Sequence, residues 1–515
     1  MFGTAGKQAG LIILCSAFIL TSVALGQDPF DGYTLFNPNG SQYSYLLDMD
    51  GEVVHNWHSN TGGGYAVYLL ESGNLLRPGS VTNHSFQGGA GSGLVEEKDW
   101  DGNLVWSFTY SSTTYYSHHD VEPMPGGSAL MIAWEKKTAV QATAAGRSQY
   151  GEMWPDHLIE VMPDGTGGGE IIWEWHSWDH LIQDYDSERD NYGVVADHPE
   201  LLDVNLNSGG GGPPGGGDWL HINGVSYNPE LDQIVISSHF VDEFFVIDHS
   251  TTTEEAAGHT GGNSGRGGDI LYRWGKPDNY DAPGETVFDV IHNSCWIPSG
   301  MPGAGNILVF HNNEGAHASE IVEIIPPLDN DGHYIWEPGS AYAPTEPTWL
   351  YENGTAFYSN HLGSNQRLPN GNTLISESTS GNLIEVTDAG EIVWDHHYNG
   401  QVARSLRYAP DYPGLYILNP VAGNDNTAQE IYLAANYPNP FNPTTTIEYR
   451  ITQPGYVSLI VYDISGRQLS TLVNETMAVG DYSVVFNAAE LTSGVYFYRL
   501  SAAENIVTRK MLLVR

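Results

Sequence analysis

The sequence predicts an all-β chain, with a six-bladed β-propeller followed by a small C-terminal β-sandwich. The 515 residues include 60 Gly and 28 Pro, and such frequent turn formers favour many short strands over long helices. Two strand-and-turn units alternate along the middle of the chain. The last segment, of about 80 residues, alternates apolar and polar side chains with the period of two that is typical of half-buried strands.

Composition excludes two classes of protein. The chain has 19 Lys and Arg against 62 Asp and Glu, a formal net charge of −43, so it cannot be a general nucleic-acid binder, which needs Lys and Arg to neutralise phosphates. With 40% hydrophobic and 16% charged residues it is not a disordered chain. All 20 His lie in residues 27–436, where they outnumber Lys and Arg, so His is the obvious substitute there for chemistry that needs cationic groups.

The first 26 residues predict a secretory signal peptide. Lys7 supplies the positive start, residues 11–23 are apolar but too short to span a bilayer, and residues 24–26 fit a small-x-small cleavage site. An uncleaved anchor is the alternative. Cleavage leaves Cys295 as the one cysteine, so no internal disulfide is expected, and no other apolar run reaches membrane-spanning length.

The propeller is predicted over residues 27–424, with a linker at 425–436. The first unit is a strand, an acidic or polar turn, and a short strand that ends in a Trp of the blade core. Its six copies end at Trp57, Trp106, Trp173, Trp274, Trp336 and Trp394. The second unit is a polar or His-bearing lead, a Pro/Gly turn and an apolar strand. Two such hairpins repeated six times make a six-bladed propeller, whereas two side-by-side sandwiches would not explain the strict alternation.

This architecture has a consequence for function. The innermost strand of each blade lines the central channel of a propeller, so leads of the second unit from successive blades meet at one mouth of the channel. The leads that carry nitrogen side chains are His119, His221, His292, His361 and Arg404. We therefore expect these residues, distant in sequence, to share one pocket.

Residues 437–515 carry four motifs that are specific in combination. They are YPNPFNPTT at 437–445, YDISGR at 462–467, LTSGVYFYRL at 491–500 and TRKMLLV at 508–514. The segment resembles the C-terminal sorting domain of type IX secretion cargo. The resemblance implies the type IX machinery as a partner, export across the outer membrane, and a secreted or cell-surface location. A generic adhesive module is the alternative.

Residues 27–424 resemble the bacterial arylsulfate sulfotransferases that do not use nucleotide sulfate donors. The segments that carry the resemblance are 118–123 (HHDVEP), 173–176 (WEWH), 178–181 (WDHL), 219–225 (WLHINGV), 234–239 (IVISSH), 268–275 (GDILYRWG) and 366–374 (QRLPNGNTL). The resemblance implies a six-bladed propeller with its active site at the channel mouth. It also implies transfer of a sulfuryl group from an aryl sulfate to a phenolic acceptor through a sulfohistidine, in a ping-pong cycle with no metal or organic cofactor.

The same resemblance assigns roles to the His residues. A neutral imidazole can attack sulfur and later leave, and His292 stands at the position of this nucleophile. His119 (or its neighbour His118) and His221 match supporting histidines that bind the sulfuryl oxygens or transfer protons. These His residues could instead be hydrogen-bonded structural groups.

One position departs from the family. Where the family has an Arg in a Ser-Ser-Arg strand, this chain has His239, which is shorter and only partly charged near neutral pH. Arg404 could supply the missing cation from another blade. His361 is the remaining substrate-binding candidate, although it lies out of register with the other leads, which favours a structural role.

Other functions remain open at this point. Three converging imidazoles could bind Zn or Cu, although no HExxH or paired CxxC motif is present. Calcium-binding turns are conceivable at Asp48, Asp50, Asp329 and Asp331, although no complete EF-hand pattern is present. The rival class is a non-catalytic surface propeller that binds glycans or proteins, and the His239 replacement favours it.

Overall fold

The computed structural model describes residues 28–206, 217–329, 332–415, 418, 432–434, 436, 438–439, 441–463, 467–489, 491–502 and 505–514. The predicted signal peptide, most of the predicted linker and Asp331 lie outside the described residues. Within them the chain is built of strands and short helices, so the predicted all-β class is confirmed.

Between Tyr33 and Tyr408, six four-stranded antiparallel sheets follow one another in the described part of the chain. We number them sheets 1 to 6. Sheet 1 contains Ser405–Tyr408, Tyr33–Phe36, Tyr43–Leu47 and Val53–His58; sheet 2 contains Tyr68–Leu69, Leu75–Ser80, Gly93–Lys98 and Leu104–Thr109; sheet 3 contains Tyr115–Pro123, Ala129–Glu135, Asp156–Pro163 and Gly169–His176. Sheet 4 contains Ile222–Asn228, Gln233–Ser238, Glu243–Asp248 and Tyr272–Trp274; sheet 5 contains Ile291–Trp296, Ile307–His311, Glu320–Ile324 and Trp349–Glu352; sheet 6 contains Ser364–Arg367, Thr373–Glu377, Asn382–Val386 and Ile392–His397.

The chain ends of this region are joined in sheet 1. The late strand Ser405–Tyr408 pairs with the early strand Tyr33–Phe36, with Leu406 opposite Leu35. One strand from the end of the region thus completes a sheet begun at its start, and backbone hydrogen bonds tie the two ends together.

Side-chain hydrogen bonds join the first strands of successive sheets. The Asn223 amide of sheet 4 donates to the Ile291 carbonyl of sheet 5 at 2.6 Å, and the Asn365 amide of sheet 6 donates to the Asn293 carbonyl of sheet 5 at 3.2 Å. The Gln366 amide of sheet 6 donates to the Arg407 carbonyl of sheet 1 at 3.2 Å. The first strands of the sheets therefore lie side by side.

The hydrophobic core fills the spaces between consecutive sheets. Leu158 of sheet 3 and Phe245 of sheet 4 belong to one buried cluster, and Ile307 of sheet 5 belongs to the next. Phe36 of sheet 1 packs in a cluster with Leu374 of sheet 6. Because apolar surface is removed from water on both faces of a sheet, stability is distributed over the whole series of sheets.

Helices in the described residues are short and lie in the connections. The α-helices are Ala139–Ala144 and Thr253–Ala256, and the 3₁₀ helices are Ser177–Asp179, Val195–Asp197, Pro277–Tyr280, Gly354–Ala356 and Pro413–Leu415. A two-stranded parallel sheet pairs Leu181–Ile182 with Leu202–Asp203. None of the helices in the described ranges has the length and hydropathy that a membrane span requires.

A strand that contains the predicted Trp is present in five copies and is displaced in the sixth. Five of the Trp residues are buried, at 9% exposure or less, at Trp57, Trp106, Trp173, Trp274 and Trp394. Trp336 lies outside the strands, and the outer strand of sheet 5 is instead Trp349–Glu352. The Pro- and Gly-rich connection before Trp349 displaced the strand from the position that the repeat spacing predicts.

The C-terminal region forms two further sheets. One contains Tyr432–Leu433, Thr444–Ile451 and Gly480–Asn487; the other contains Gln468–Met477, Gly455–Asp463, Gly494–Ala502 and Asn505–Leu513. Ile447 of the first and Leu459 of the second are fully buried in one hydrophobic cluster. Two sheets that share a core in this way make a sandwich.

Candidate functional site

The first strands of sheets 3, 4 and 5 each depart from regular pairing where a predicted His lies. The irregularities fall between Ser117 and Val121, between Ile222 and Gly224, and between His292 and Cys295. A β-bulge redirects side chains at the cost of regular pairing. The backbone is left-handed at three residues in or next to these segments, His119 (φ 53), His221 (φ 52) and Asn293 (φ 46). A positive φ is uncommon for residues other than Gly and is frequent at functional sites.

These bulges bring five imidazole rings together. Ring centroids lie 5.0 Å apart for His118 and His119, and 4.6 Å apart for His119 and His221. His239 continues the series, at 5.3 Å from His221 and 5.4 Å from His292. We call these five residues the His cluster.

The tautomer of His292 is fixed by Asn312. The Asn312 amide nitrogen donates to the carbonyls of Ser359 (2.7 Å) and Leu362 (2.8 Å), so its Oδ1 faces His292 Nδ1 at 2.7 Å and accepts from it. Nδ1 therefore carries the proton and Nε2 the lone pair, which accepts a long hydrogen bond from the Leu362 N–H at 3.2 Å. Burial lowers the pKa of His292 to about 3, so the ring is neutral near pH 7.

His221 forms a dyad with a buried carboxylate. Its Nδ1 donates to Asp218 Oδ2 at 2.6 Å, and Trp134 Nε1 donates to Asp218 Oδ1 at 3.0 Å. Asp218 is 1% exposed. The second nitrogen of His221, Nε2, has no hydrogen-bond partner among the described residues and is free to accept or deliver a proton.

His118 and His119 are coupled to each other. Their Nδ1 atoms lie 2.7 Å apart, so one donates to the other. Burial, reinforced by His221, lowers the pKa of both rings well below 6.5. His118 also stacks on Trp134 with ring centroids 3.8 Å apart. The pair is neutral and rigidly packed.

His239 occupies the position where the predicted family pattern has Arg. Its Nδ1 is buried without a hydrogen-bond partner, and burial lowers the pKa of the ring to about 2, with His292 and His221 adding to the effect. The ring is therefore neutral at physiological pH and supplies no positive charge.

His361 lies beside the His cluster and is half buried. Its Nδ1 donates to Asn360 Oδ1 at 2.8 Å, and its Nε2 is 3.4 Å from Gln401 Nε2. It is close enough to contribute to the lowered pKa of both His239 and His292.

Arg404 is tied to an acidic partner. Its two terminal nitrogens donate to Asp120 at 2.9 and 2.6 Å, and one of them also contacts the Tyr68 hydroxyl at 2.5 Å. Asp120 follows His119 directly and also accepts from the Val225 N–H at 3.1 Å. Arg404 therefore reaches the His cluster through Asp120, and its substrate contact stays a prediction.

Four residues near the cluster were missed by sequence reasoning. Asp218 lies three positions before His221, and Phe240 follows His239, so their spacing offered a weak signal. The Tyr65 ring lies 4.5 Å from His119, and the Phe240 ring lies 4.8 Å from His221. These two rings give the cluster an aromatic border. Nothing in the spacing of Asn312 linked it to His292.

The metal alternative does not fall on the His cluster. In the described ranges the one group of three side chains placed to share an ion is His180, His259 and Asp269. Of the turns proposed for Ca²⁺, Asp48 Oδ1 accepts the backbone N–H groups of Asp50 (3.0 Å) and Glu52 (2.9 Å). This carboxylate oxygen thus stabilises its own turn.

Two family comparisons cover most of the chain. The family described as Arylsulfotransferase (ASST) matches residues 27–404, and the secretion system C-terminal sorting domain matches residues 435–514. Among curated proteins none matches significantly.

Solved structures offer only distant similarities. A protein of unknown function from Bacteroides caccae is 12% identical at a TM-score of 0.40, over 73% of this chain and 98% of that one. Apo AztD from Citrobacter koseri is 10% identical at a TM-score of 0.31, over 89% of this chain and 99% of that one. A streptogramin B lyase is 9% identical at a TM-score of 0.32, over 72% of this chain and 85% of that one. All three TM-scores lie below 0.5, so these similarities carry no further argument.

Proposed function

Since residues 27–404 match its sequence pattern and the chain therefore belongs to the arylsulfotransferase family, we propose that it is a secreted aryl-sulfate sulfotransferase. It moves a sulfuryl group from an aryl sulfate to a phenolic acceptor through a sulfohistidine. The observation that carries this proposal is the convergence of five imidazoles from sheets 3, 4 and 5. In the same proposal the six sheets are the blades of a propeller, residues 27–424, and the His cluster lies at the mouth of its channel.

The nucleophile in this proposal is His292 Nε2. Its ring is neutral, and the Asn312 contact places the lone pair on Nε2. Nε2 attacks sulfur, the N–S bond forms, and the bond from sulfur to the phenolic oxygen breaks. The long contact from the Leu362 N–H must open during attack, because it uses the same lone pair.

His221 is the general acid in the first half-reaction and the general base in the second. Protonated Nε2 gives its proton to the departing phenolate, and it takes a proton from the acceptor phenol as that oxygen attacks sulfur and the N–S bond breaks. The Asp218 carboxylate stabilises the charged imidazole and orients the ring, as the buried acid of a catalytic triad does. Each proton lost in one half-cycle is regained in the other, so the enzyme returns unchanged.

The sulfuryl oxygens are held by N–H groups of His119 and His239. Such donors stabilise the charge on the transferring group when they are preorganised in a site with little water. His118 positions His119, and His361 contributes at the edge. Phenol rings of donor and acceptor pack against Tyr65 and Phe240, because aromatic rings provide apolar area with defined geometry.

The two terminal segments determine the cellular location of the protein in this proposal. The C-terminal domain is a secretion-system sorting domain. We propose that residues 1–26 direct the chain to the periplasm and that residues 437–515 engage the type IX machinery, which delivers it to the cell surface or exterior.

The decisive experiment combines turnover with adduct mapping. Wild type, His292→Asn and the matched control His333→Gln, an exposed His outside the cluster, are mixed with nitrophenyl sulfate and phenol. We expect His292→Asn to lose at least about a thousandfold in kcat while the control keeps wild-type turnover. After donor alone, mass spectrometry should find one SO₃ adduct on the His292 peptide. Equal slow phenol release from all three proteins, or an adduct on the His221 peptide, contradicts the assignment.

A second function has one observation in its favour. His239 is neutral where the family pattern has Arg, and Arg404 is occupied by Asp120. A surface propeller that binds glycans or proteins without turnover would need no cation in the cluster. Aryl sulfate binding without phenol release, retained in His292→Asn, would support this alternative.

A further inference from the structure

A second histidine site lies away from the His cluster, where a Gly-rich insertion interrupts sheet 4. The insertion runs between the strands Glu243–Asp248 and Tyr272–Trp274 and contains the helix Thr253–Ala256. It supplies His259 and Asp269, while His180 comes from the connection that follows sheet 3. Both imidazoles point Nδ1 at the same carboxylate oxygen, Asp269 Oδ1, at 2.8 Å from His180 and 2.7 Å from His259.

The contacts of His180 fix its tautomer. Its Nε2 lies 2.9 Å from the Ala256 carbonyl, which can only accept, so Nε2 carries a proton. Its other ring nitrogen, Nδ1, faces the Asp269 carboxylate oxygen at 2.8 Å. Two acceptors at 2.8 Å repel each other unless a proton or a cation lies between them. A histidine ligand in a metal site commonly donates its other N–H to a backbone carbonyl in this way.

The surroundings hold His180 rigidly. Trp175 stacks on its ring with an interplanar angle of 6°, and Trp175 Nε1 donates to the Gly268 carbonyl at 2.7 Å. A side chain at Gly268 would place its Cβ only 2.6 Å from His180 Nε2. The backbone of the insertion thus passes close to the Nε2 edge of the imidazole. His180 is fully buried, whereas the His259 side chain is 60% exposed, so the site opens to solvent on one side.

We propose that His180 Nδ1, His259 Nδ1 and Asp269 bind a divalent transition-metal ion, with Zn²⁺ the ion that fits best. Two imidazoles and a carboxylate are ordinary zinc ligands, and a water on the open side completes four-coordination. Zn–N and Zn–O distances of about 2.0–2.1 Å place tetrahedral ligands about 3.3 Å apart, so each contact must open by about half an ångström. The ion then connects the insertion to the segment after sheet 3.

The competing arrangement is a metal-free cluster in which a protonated His180 pairs with Asp269. Both arrangements account for the short contacts, but only one binds an ion. The proposal is independent of the sulfuryl-transfer function, because none of its three residues belongs to the His cluster.

The test is a metal titration of the full-length protein, prepared without a polyhistidine tag and stripped with chelator. Zn²⁺ affinity is measured against a chromophoric chelator, and Co²⁺ reports geometry through its visible absorption. We expect one tight equivalent of Zn²⁺ and a tetrahedral Co²⁺ spectrum. His259→Ala changes an exposed side chain and should weaken Zn²⁺ binding at least tenfold without lowering thermal stability of the chelator-stripped protein.

Two controls and one ligand variant separate this site from others. His333→Ala removes an exposed His that also lies beside a carboxylate, Asp329, at 3.5 Å, and should leave the tight equivalent unchanged. His292→Asn should also retain the tight equivalent, which excludes His292 as one of its ligands. Asp269→Asn should lose the tight equivalent of Zn²⁺. The proposal is overturned if wild type binds no tight equivalent, or if His259→Ala binds Zn²⁺ as strongly as wild type.

Discussion

Asn312 presents its side-chain oxygen to Nδ1 of His292 at 2.7 Å and so determines which nitrogen of that ring keeps its lone pair. The amide group of Asn312 cannot flip without cost, because its nitrogen already donates to two backbone carbonyls. A single uncharged side chain thus sets both the tautomer and the orientation of the proposed nucleophile. An uncharged partner also leaves the low pKa of His292 in place.

Replacing Asn312 tests this positioning role. We expect Asn312→Leu to lower kcat by about ten- to a hundredfold with little change in KM, because the substrate still binds but Nε2 is poorly aimed. Asn312→Asp should restore much of the rate and shift the acid limb of the pH–kcat profile upward, since a carboxylate raises the pKa of His292. An unchanged acid limb in the Asp variant would show that His292 does not titrate in catalysis.

Asp218→Asn should impair proton transfer rather than binding. Without the carboxylate, the tautomer and orientation of the His221 ring are no longer enforced, so kcat should fall by about 10²- to 10⁴-fold. The loss should be larger for phenyl sulfate than for nitrophenyl sulfate, because a poorer leaving group depends more on protonation. Equal losses for the two donors would mean that His221 is not the acid.

His239→Arg should raise kcat/KM. The present ring is neutral because burial lowers its pKa to about 2, whereas Arg offers a permanent charge and a fork of donors to the sulfuryl oxygens. His239→Gln is the uncharged control and should not exceed wild type. If the Arg variant is no more active than the Gln variant, a cation at this position does not stabilise the transition state.

The His cluster was predictable because residues at the same point of a repeat lie at equivalent places in successive sheets, even when they are distant in sequence. His119, His221 and His292 occupy the same point of the repeat, at the starts or bulges of the first strands in three successive sheets. Their convergence follows from repeat register, and the all-β class follows from turn density and strand periodicity.

The partners of these side chains were not predictable in the same way. Asn312 and Asp218 lie in segments whose pairing with the cluster depends on strand and loop geometry. The pairing of Arg404 with Asp120 was not predicted either; its two terminal nitrogens bind this carboxylate, because a buried carboxylate beside a buried guanidinium must be neutralised. The substrate contact of Arg404 stays a prediction. Repeat spacing predicts an outer strand at Trp336, but a long connection shifts that strand to Trp349–Glu352, so spacing alone does not locate strands that follow long connections.

Arg404→Met should destabilise the protein strongly. It leaves Asp120 buried without its ion partner, which typically costs about 3–5 kcal/mol in unfolding free energy. The double variant Arg404→Met with Asp120→Leu should regain much of that loss, because it removes the isolated charge. Denaturant unfolding of the four proteins of the cycle gives the coupling energy. Simple addition of the two single effects would contradict a direct pairing.

The buried imidazoles should also make the fold sensitive to acid. In the folded chain the pKa is about 2 for His239 and about 3 for His292, against 6.5 for an ordinary His. Below pH 6.5 the unfolded chain therefore binds more protons than the folded chain, and stability falls as pH falls. Each such His contributes a slope of up to about 1.4 kcal/mol per pH unit between its folded pKa and 6.5.

His239→Gln should flatten the dependence of unfolding free energy on pH between 6.5 and 4, while the exposed-site variant His333→Gln should follow wild type. Parallel curves for His239→Gln and wild type would mean that folding does not lower the pKa of His239, and the neutral His239 ring would then have to be abandoned.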